Sequence, residues 1–257
     1  MLVVISPSKG QDFTTEFKSI KTTIPRQLEH SKLLVKELKQ YSVAKIQELM
    51  GVSENIARLN KTRFDKFTTP FANKNSRPAF FAFKGDVYLG FAKNEYSVSD
   101  LDYAQNHLRI ISGLYGLLRP MDLIQAYRLE MKTKLKTPRG DNLYAFWDNI
   151  ITEQLNQDLL KHSSKYLVNL ASGEYAKAIK LKELKVKVLN VNFKEIKNGK
   201  SRVIAIFAKR ARGLMSDYIL RNRIDEPEAI KKFNIGGYKF SVKESDSNNW
   251  VFTRTQP

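Results

Sequence analysis

The segment from His107 to Met131, HLRIISGLYGLLRPMDLIQAYRLEM, constrains the fold more than any other part of the chain. It combines apolar residues typical of a protein core with Arg109, Arg119 and Arg128, which stand nine or ten residues apart. An amphipathic helix would keep its charges on one side with a period of about 3.6 residues, so this spacing does not fit one. We therefore predict that the segment lies in the core and directs its arginines to specific sites.

The size and composition of the chain set the frame for this prediction. Its 257 residues, 42% of them hydrophobic, are enough to bury one large core. We predict a single compact domain over residues 1–257, with a helical hairpin subregion at about residues 25–67. Cysteine is absent, which excludes disulfides and thiolate chemistry. The three histidines, His30, His107 and His162, show no metal-ligand spacing, so we predict neither a metal site nor a cofactor.

The amino-terminal sequence bears on location. MLVVISPSKG is a short apolar run followed by proline and lysine, and it lacks the basic start and long apolar region of a signal peptide. No apolar run approaches the length of a membrane span. These features predict a cytoplasmic protein that does not associate with a membrane.

The charge balance is strongly basic. With 44 Lys and Arg against 26 Asp and Glu, the formal net charge is +18, which is typical of proteins that bind nucleic acid. A lysine-rich composition also produces ordinary solvated helix faces, and Lys32, Lys36 and Lys39 fit that alternative. The positions of the arginines are the better guide, because a guanidinium group suits phosphate and carboxylate recognition.

The pattern of apolar residues predicts strands and helices that alternate along the chain. Short apolar or β-branched runs predict strands at residues 1–6, 109–112, 166–170, 187–196, 201–207, 238–242 and 250–253. The run PAFFAFKGDVYLG, residues 78–90, predicts two more strands joined through Lys84, Gly85 and Asp86. Apolar residues at helical spacing predict helices at about residues 25–41, 43–50, 53–64, 97–107, 142–161 and 208–223.

Local signals refine these elements. Ser53 and Ser99 are predicted to cap the helices that follow them. The tetrapeptide Lys197-Asn198-Gly199-Lys200 indicates a tight antiparallel hairpin. Since strands alternate with helices and at least one hairpin is antiparallel, the predicted fold class is mixed α/β (α+β), a mixed sheet with flanking helices and a helix-hairpin-helix-like element.

Residues 43–67, VAKIQELMGVSENIARLNKTRFDKF, are the predicted helix-hairpin-helix-like element. Gly51 would let the backbone approach a phosphate, and the free amides from Glu54 to Ile56 would donate to its oxygens. The element resembles the helix-hairpin-helix motif of sequence-independent DNA-binding proteins. That motif usually has glycine on both sides of the apolar turn residue, whereas Ser53 follows Val52 here. An ordinary corner between two helices is the alternative.

We assign candidate DNA-binding residues to this element by their place in the turn or by their side-chain chemistry. The candidates are Lys45, Gly51, Val52, Ser53, Asn55, Arg58, Lys61 and Arg63. Glu48 and Glu54 lie among them and reduce the local positive charge.

Two further segments carry chemistry outside the hairpin. FKGDVY, residues 83–88, places Lys84 and Asp86 on a turn after a strand, where ligand-binding residues are often found. FAKRARGLMSDYILRNR, residues 207–223, begins with a cluster of cations that suits a phosphate-binding surface. A polar hairpin tip and a solvated helix face are the respective alternatives.

Blocks of sequence over nearly the whole chain resemble the bacterial YaaA family of peroxide stress proteins. They are ISPSK at 5–9, FKGDVY at 83–88, QxHLRxxSGLYGxLRPxDLxxxYRLEM at 105–131, LxxFW at 143–147, NLASxEY at 169–175 and AKxARGLMS at 208–216. The resemblance implies a role in survival of hydrogen peroxide with lowered intracellular free iron. It also implies DNA binding through a helix-hairpin-helix element and a positively charged cleft.

The resemblance extends to cleft residues in this chain. Together with Asp86 from the FKGDVY turn, the candidate cleft residues are Lys9, Lys84, Arg109, Ser112, Tyr115, Arg119, Tyr127, Arg128, Glu130, Lys209 and Arg212. A buried Arg–Glu pair with a purely structural role is the alternative for the YRLEM part of this set.

Two functional hypotheses follow. The first is a peroxide stress protein that binds double-stranded DNA through its phosphates, largely independently of sequence, and limits oxidative DNA damage. The second is an enzyme or a binder of a nucleotide-like small anion held between Lys9, Arg119 and Lys209. No nucleophile–base pair is readable in the sequence, so catalysis is not the favoured role. Direct iron binding is disfavoured because no compact set of ligands is visible.

Overall fold

The fold was obtained as a computed structural model, which describes residues 1–15 and 20–256. In these residues the strands are β1 (Leu2–Ile5), β2 (Gly10–Gln11), β3 (Arg77–Pro78), β4 (Phe83–Lys84), β5 (Leu108–Ser112), β6 (Gly116–Leu118), β7 (Leu123–Ile124), β8 (Tyr166–Asn169), β9 (Lys187–Lys197), β10 (Lys200–Arg202), β11 (Lys239–Phe240) and β12 (Asn249–Thr255). The α-helices are α1 (Leu28–Lys39), α2 (Val43–Met50), α3 (Glu54–Lys66), α4 (Ala79–Ala82), α5 (Val98–His107), α6 (Leu143–Trp147), α7 (Ile150–Leu159), α8 (Gly173–Ala176) and α9 (Ala205–Arg221). Short 3-10 helices occupy Tyr88–Gly90, Lys93–Glu95, Leu181–Glu183, Pro227–Lys232, Ile235–Gly237 and Val242–Glu244.

A mixed eight-stranded sheet organises the fold. Its order is β11-β12-β9-β8-β1-β5-β6, and β10 pairs with β9. The five strands from β12 to β5 are parallel, whereas β6, β10 and β11 are antiparallel to their neighbours. The predicted mixed α/β class is therefore confirmed.

The central strand β1 shows why the parallel part forms. All four of its residues, LVVI, are buried, as is typical of a parallel strand covered on both faces. Val3 pairs with Leu108 of β5 on one side and with Val168 of β8 on the other. The chain thus leaves β1 for one neighbour and later returns to the other. This reversal opens a crevice at the carboxyl ends of β1 and β8, where α/β proteins bind ligands.

The predicted pair of strands in residues 78–90 is wrong. Pro78 ends the short strand β3, Ala79–Ala82 form a helical turn, Phe83–Lys84 form the two-residue strand β4, and Tyr88–Gly90 form a 3-10 helix. The backbone N–H of Phe80 donates to the carbonyl of Pro120 at 2.9 Å, so this turn hydrogen-bonds to a distant loop rather than to a neighbouring strand. The aromatic rings cluster in the core instead of alternating across a sheet.

Other predicted boundaries also shift. The predicted helix 142–161 is broken at Asp148, which has a positive φ of 39°, into α6 and α7. The predicted strand 201–207 ends at Arg202, because its last residues begin α9. The side chain of Ser97, not that of Ser99, caps α5 by accepting the N–H of Asp100 at 3.2 Å.

The helical hairpin is formed by α2 and α3. The side chain of Ser42 caps α2 by accepting the N–H of Lys45, and Gly51 ends that helix in the left-handed conformation. Ser53 occupies the predicted cap position of α3, but its side chain makes no capping hydrogen bond. Within the described ranges, no helix combines the length and apolar character needed to cross a membrane.

A buried ion pair anchors the start of β5. Arg109 Nε donates to Asp158 Oδ2 at 2.6 Å, and both side chains are almost inaccessible. Arg26 donates to the same carboxylate through two nitrogens, at 2.6 and 2.8 Å. Burial raises the pKa of Asp158, but the hydrogen bonds and charges of the two arginines outweigh it and lower this pKa to about 2. Asp158 therefore links α7 to β5 and to the segment before α1.

The substitution Asp158→Ala should be strongly destabilising, because it leaves the guanidinium of Arg109 buried without a counterion. We expect a loss of about 3–5 kcal/mol in the free energy of unfolding, measured by urea denaturation. The loss should shrink as the pH falls from the ordinary carboxyl value of 3.8 toward 2, because the lowered pKa stabilises the fold only while the carboxylate is ionised.

The matched control is Asp65→Ala, which removes the exposed partner of Lys61 on α3. Exposed pairs of this kind contribute about 0.2–1 kcal/mol. Equal losses for the two variants would contradict a structural role for the buried pair.

Candidate functional site

The crevice between β1 and β8 holds a cleft of about 490 Å³. Its walls come from the loop after β1, the loop after β8, the turn after β4 and the first half of α9. The lining residues are Ser6, Pro7, Ser8, Lys9, Gly10, Lys84, Gly85, Asp86, Val87, Glu130, Lys132, Ser172, Glu174, Tyr175, Lys209 and Arg212. We call this site the switch-point cleft.

Two serines from adjacent strand ends are hydrogen-bonded to each other in the cleft. The N–H of Ser172 donates to Ser6 Oγ at 2.9 Å, and Ser6 Oγ donates to Ser172 Oγ at 3.3 Å. The buried hydroxyl of Tyr88 donates to the carbonyl of Ser6 at 3.1 Å. These contacts fix the two strand-end loops relative to each other and present hydroxyl groups to a ligand.

The FKGD turn is held against the loop after β1. Gly10 pairs with Lys84 between β2 and β4, and Ser8 Oγ donates to the carbonyl of Lys84 at 2.6 Å. At Gly85, which has a φ of +150°, an added Cβ would lie 2.4 Å from Ser8 Oγ. The close approach that places Lys84 and Asp86 on the cleft wall therefore requires glycine at this position.

Glu130 gathers three cations at one side of the cleft. Its Oε1 lies 3.1 Å from both Lys9 Nζ and Arg128 Nη2, and its Oε2 lies 3.8 Å from Lys132 Nζ. Burial raises the pKa of Glu130, but the hydrogen bonds and charges of Lys9 and Arg128 outweigh burial and hold it below its usual value. One carboxylate against three cations leaves this side of the cleft positively charged.

Arg212 is the least satisfied group in the cleft. Its Nε is buried and has no hydrogen-bond partner, and no carboxylate among residues 1–15 and 20–256 forms an ion pair with it. Burial of its guanidinium lowers the pKa of this group. A buried polar group without a partner is uncommon in proteins. An anion in the cleft would supply what Arg212 lacks.

A second groove runs from the helical hairpin to this cleft. It has a volume of about 510 Å³ and is lined by Tyr41, Lys45, Glu48, Leu49, Met50, Gly51, Arg128, Glu130, Lys132, Thr133, Lys134 and Lys136. Glu130 and Lys132 line both the groove and the switch-point cleft. The two pockets therefore adjoin at these residues, and more cationic than acidic residues line them; we call the pair the basic groove.

The candidate cations of the helical hairpin are already ion-paired or partly buried. Lys45, Arg58 and Lys61 form ion pairs within their own helices, with Glu48 at 3.0 Å, Glu54 at 2.5 Å and Asp65 at 2.6 Å respectively. Another candidate cation, Arg63, is half-buried, and burial lowers its pKa. A side-chain contact between the hairpin and phosphate would have to compete with these interactions.

Gly51, Val52, Ser53 and Asn55 remain accessible at the turn. Gly51 has φ 58° and ψ 49°, and nothing lies within 4 Å of the position of an added Cβ. In the next helix, the first internal N–H bond is that of Ala57 to the carbonyl of Ser53. The amides before Ala57 thus point away from the helix, as at other helix amino termini that bind anions.

The remaining predicted cleft residues lie elsewhere. Arg109 and Arg119 are at the opposite, amino edge of the sheet, where Arg119 Nε and Nη2 donate to Asp122 Oδ1 at 3.1 and 2.8 Å. Ser112 and Tyr127 are buried and hydrogen-bonded to each other at 2.6 Å. Tyr115 is also buried, and its hydroxyl donates to the carbonyl of Gln125. The structure thus does not bring these five residues into the switch-point cleft.

Several lining residues were missed in the sequence. Ser6 and Ser172 end the apolar runs of β1 and β8, so a rule that seeks ligand residues at the carboxyl ends of parallel strands would have found them. Lys132, Lys134 and Lys136 alternate with buried residues in the segment after Met131. That alternation places three lysines on one accessible side, a signal that was present in the sequence.

Comparison with known proteins places the chain in a family. Residues 1–244 match the family described as peroxide stress protein YaaA. Over 256 residues the chain is 48% identical to a UPF0246 protein of Alteromonas mediterranea, covering 100% of this chain and 99% of that protein. A UPF0246 protein of Colwellia psychrerythraea is 46% identical over 100% of both chains. The chain therefore belongs to the peroxide stress protein YaaA family, and this membership supports a role in peroxide stress.

Proposed function

We propose that this member of the peroxide stress protein YaaA family binds double-stranded DNA along the basic groove. Binding is largely independent of sequence and is directed at the phosphates. It serves to limit oxidative DNA damage during peroxide stress. The proposal also includes a lowering of free intracellular iron, and the family resemblance is its only support.

The observation that carries this proposal is that the two pockets of the basic groove adjoin at Glu130 and Lys132. Gly51 lies at one end, just before the free amides at the start of α3, and Arg212 and Lys209 offer cations at the other end. Between them lie Lys132, Lys134 and Lys136, all exposed. Phosphates along a DNA strand form a regular row of negative charges, which such a line of donors suits.

The lysines at positions 134 and 136 provide the sharpest test, because no ion pair holds them in the described part of the chain. The double variant Lys134→Ala/Lys136→Ala should bind a short DNA duplex more weakly than the unmodified chain, in fluorescence anisotropy at low salt. A plot of log affinity against log salt should also become shallower, by about 0.9 for each lost phosphate contact.

The control is Lys182→Ala/Lys185→Ala, which removes two exposed lysines that line neither the groove nor the cleft. The control removes the same net charge. If DNA binds in the basic groove, the control variant should keep the salt dependence of the unmodified chain. If both double variants lose the same affinity for DNA, the interaction depends on net charge and not on the basic groove. No binding of any duplex at low salt would overturn the proposal.

A second candidate function is binding of a small, nucleotide-like anion in the switch-point cleft. The unpartnered Nε of Arg212 favours it, because this cation is desolvated without a carboxylate. Ser6, Ser172 and Lys84 surround the same space with further donors. We propose no reaction there, because the two serines hydrogen-bond to each other and not to a histidine.

The variant Arg212→Met should separate folding from ligand binding. Without ligand, its melting temperature should equal or exceed that of the unmodified chain, because an unpaired desolvated charge is removed. Inorganic pyrophosphate and adenosine monophosphate are the probes. At about ten times its dissociation constant, a bound probe should stabilise the unmodified chain by about 1.4 kcal/mol, but not the variant.

The neighbouring substitution Arg210→Met is the matched control, because Arg210 is exposed on the same helix and does not line the cleft. It should keep the stabilisation by the probe. If neither probe shifts the melting temperature of the unmodified chain, the cleft has no small-anion function of this class. DNA binding that survives Arg212→Met would separate the two candidate functions.

A further inference from the structure

Three metal-ligating side chains meet at the amino edge of the sheet, far from the basic groove. His107 ends α5, His162 follows α7, and Asp225 follows α9. One ligand atom from each lies within 4.8 Å of the others. Their wide separation in sequence hides the cluster, which is why no ligand spacing was visible there.

We propose that His107, His162 and Asp225 form a binding site for a divalent transition-metal ion. Two imidazoles and one carboxylate suit ions of borderline softness such as Zn²⁺, Co²⁺ and Fe²⁺, rather than Mg²⁺ or Ca²⁺. Three protein ligands leave coordination positions open for water or another small molecule.

The ring of His107 is already oriented for coordination. Its Nδ1 lies 2.9 Å from the carbonyl of Tyr103, so in the neutral ring this nitrogen donates and Nε2 carries the free lone pair. The ring also stacks on Tyr103, with centroids 3.7 Å apart and an interplanar angle of 9°. Metal-binding histidines commonly have this second hydrogen bond, because it fixes the tautomer and the ring direction.

The ring of His162 faces that of His107 edge-on. Their centroids are 4.8 Å apart, and the interplanar angle is 80°. One nitrogen of each ring lies within 4.8 Å of the other and of a carboxylate oxygen of Asp225, so the geometry brings the three ligands together.

Asp225 completes the cluster and is itself oriented by a second contact. Its Oδ2 accepts a hydrogen bond from Ser163 Oγ at 2.7 Å. Its Oδ1 forms an ion pair with the α-amino group of Met1, which also lies 3.4 Å from His162 Nδ1. A cationic group thus already sits between the histidine and the carboxylate. A metal ion would have to displace this ammonium group.

The two histidines of the cluster can be reached from a cavity. His107 and His162 line a cavity of about 340 Å³, which gives an ion a route to the rings. Arg26, Arg109, Arg119 and Lys161 also line this cavity. Asp158 pairs with both Arg26 and Arg109, and Asp122 pairs with Arg119. Metal–nitrogen bonds of about 2.0–2.1 Å place tetrahedral ligand atoms roughly 3.3 Å apart. The present atoms, which lie within 4.8 Å of one another, would have to move closer together as the ion displaces the Met1 ammonium group.

The test is titration of the full chain with Co²⁺, read by its visible absorption bands, followed by competition with Zn²⁺. Any purification tag belongs at the carboxyl end, because Met1 adjoins the site. We expect one Co²⁺ per chain, displaced by Zn²⁺. The variants His162→Gln and Asp225→Asn should bind at least tenfold more weakly. Zn²⁺ should raise the melting temperature of the unmodified chain and not of these variants.

His30→Gln is the matched control, because His30 lies against Phe146 and Trp147, away from the cluster. It should bind Co²⁺ like the unmodified chain. His107→Gln is the additional site variant if either of the others fails to fold by circular dichroism. Absence of Co²⁺ binding, or equal affinity in the folded site variants and the unmodified chain, would overturn the proposal.

Discussion

The pairing of β1 between β5 and β8 is the constraint on which the rest of the structure depends. Because all of its residues are buried, β1 cannot slip in register without exposing apolar side chains. Its fixed position sets the two edges of the parallel sheet. The carboxyl edge carries the switch-point cleft, while the amino edge carries the Arg109–Asp158 pair and the histidine cluster.

The two edges use charge in different ways. At the amino edge, Arg26 and Arg109 share Asp158, and the cations are satisfied within the protein. At the carboxyl edge, Arg212, Lys134 and Lys136 form no ion pair within residues 1–15 and 20–256, and Lys132 lies 3.8 Å from Glu130. Removing the partner of a cation paired in the core destabilises the fold, whereas a desolvated cation without a partner itself lowers stability. This contrast distinguishes arginines that are satisfied within the protein from one that would gain a partner in the proposed ligand.

The sequence predicts those parts of the structure that depend on local pattern. β1, β5, β8 and α2 are found close to their predicted bounds, because short apolar runs and clear turn residues mark them. Residues 78–90 fail for a physical reason: aromatic residues favour strands only when neighbours on a sheet receive them. The break between α6 and α7 at Asp148 could not be predicted either, because neither glycine nor proline marks it in the sequence.

Side-chain partners were the harder part to predict. Nothing in the spacing of the arginines indicates that Arg109 pairs with Asp158 on a later helix, while Arg212 pairs with no acidic residue among those described. His107, His162 and Asp225 likewise become neighbours only when α5, α7 and α9 pack around the sheet. Such contacts join segments that are remote in the chain, so they depend on topology rather than on local composition.

Glu130 has a consequence for the energetics of recognition. In the absence of ligand it holds Lys9 and Arg128 in fixed directions and keeps Lys132 close. Ordering a flexible side chain costs about 0.5–1.5 kcal/mol when it happens on binding. Here part of that entropy is lost during folding, so the anion of either proposed function would meet cations that are already aligned. A carboxylate that looks unfavourable in a basic site would then act as its preorganising element.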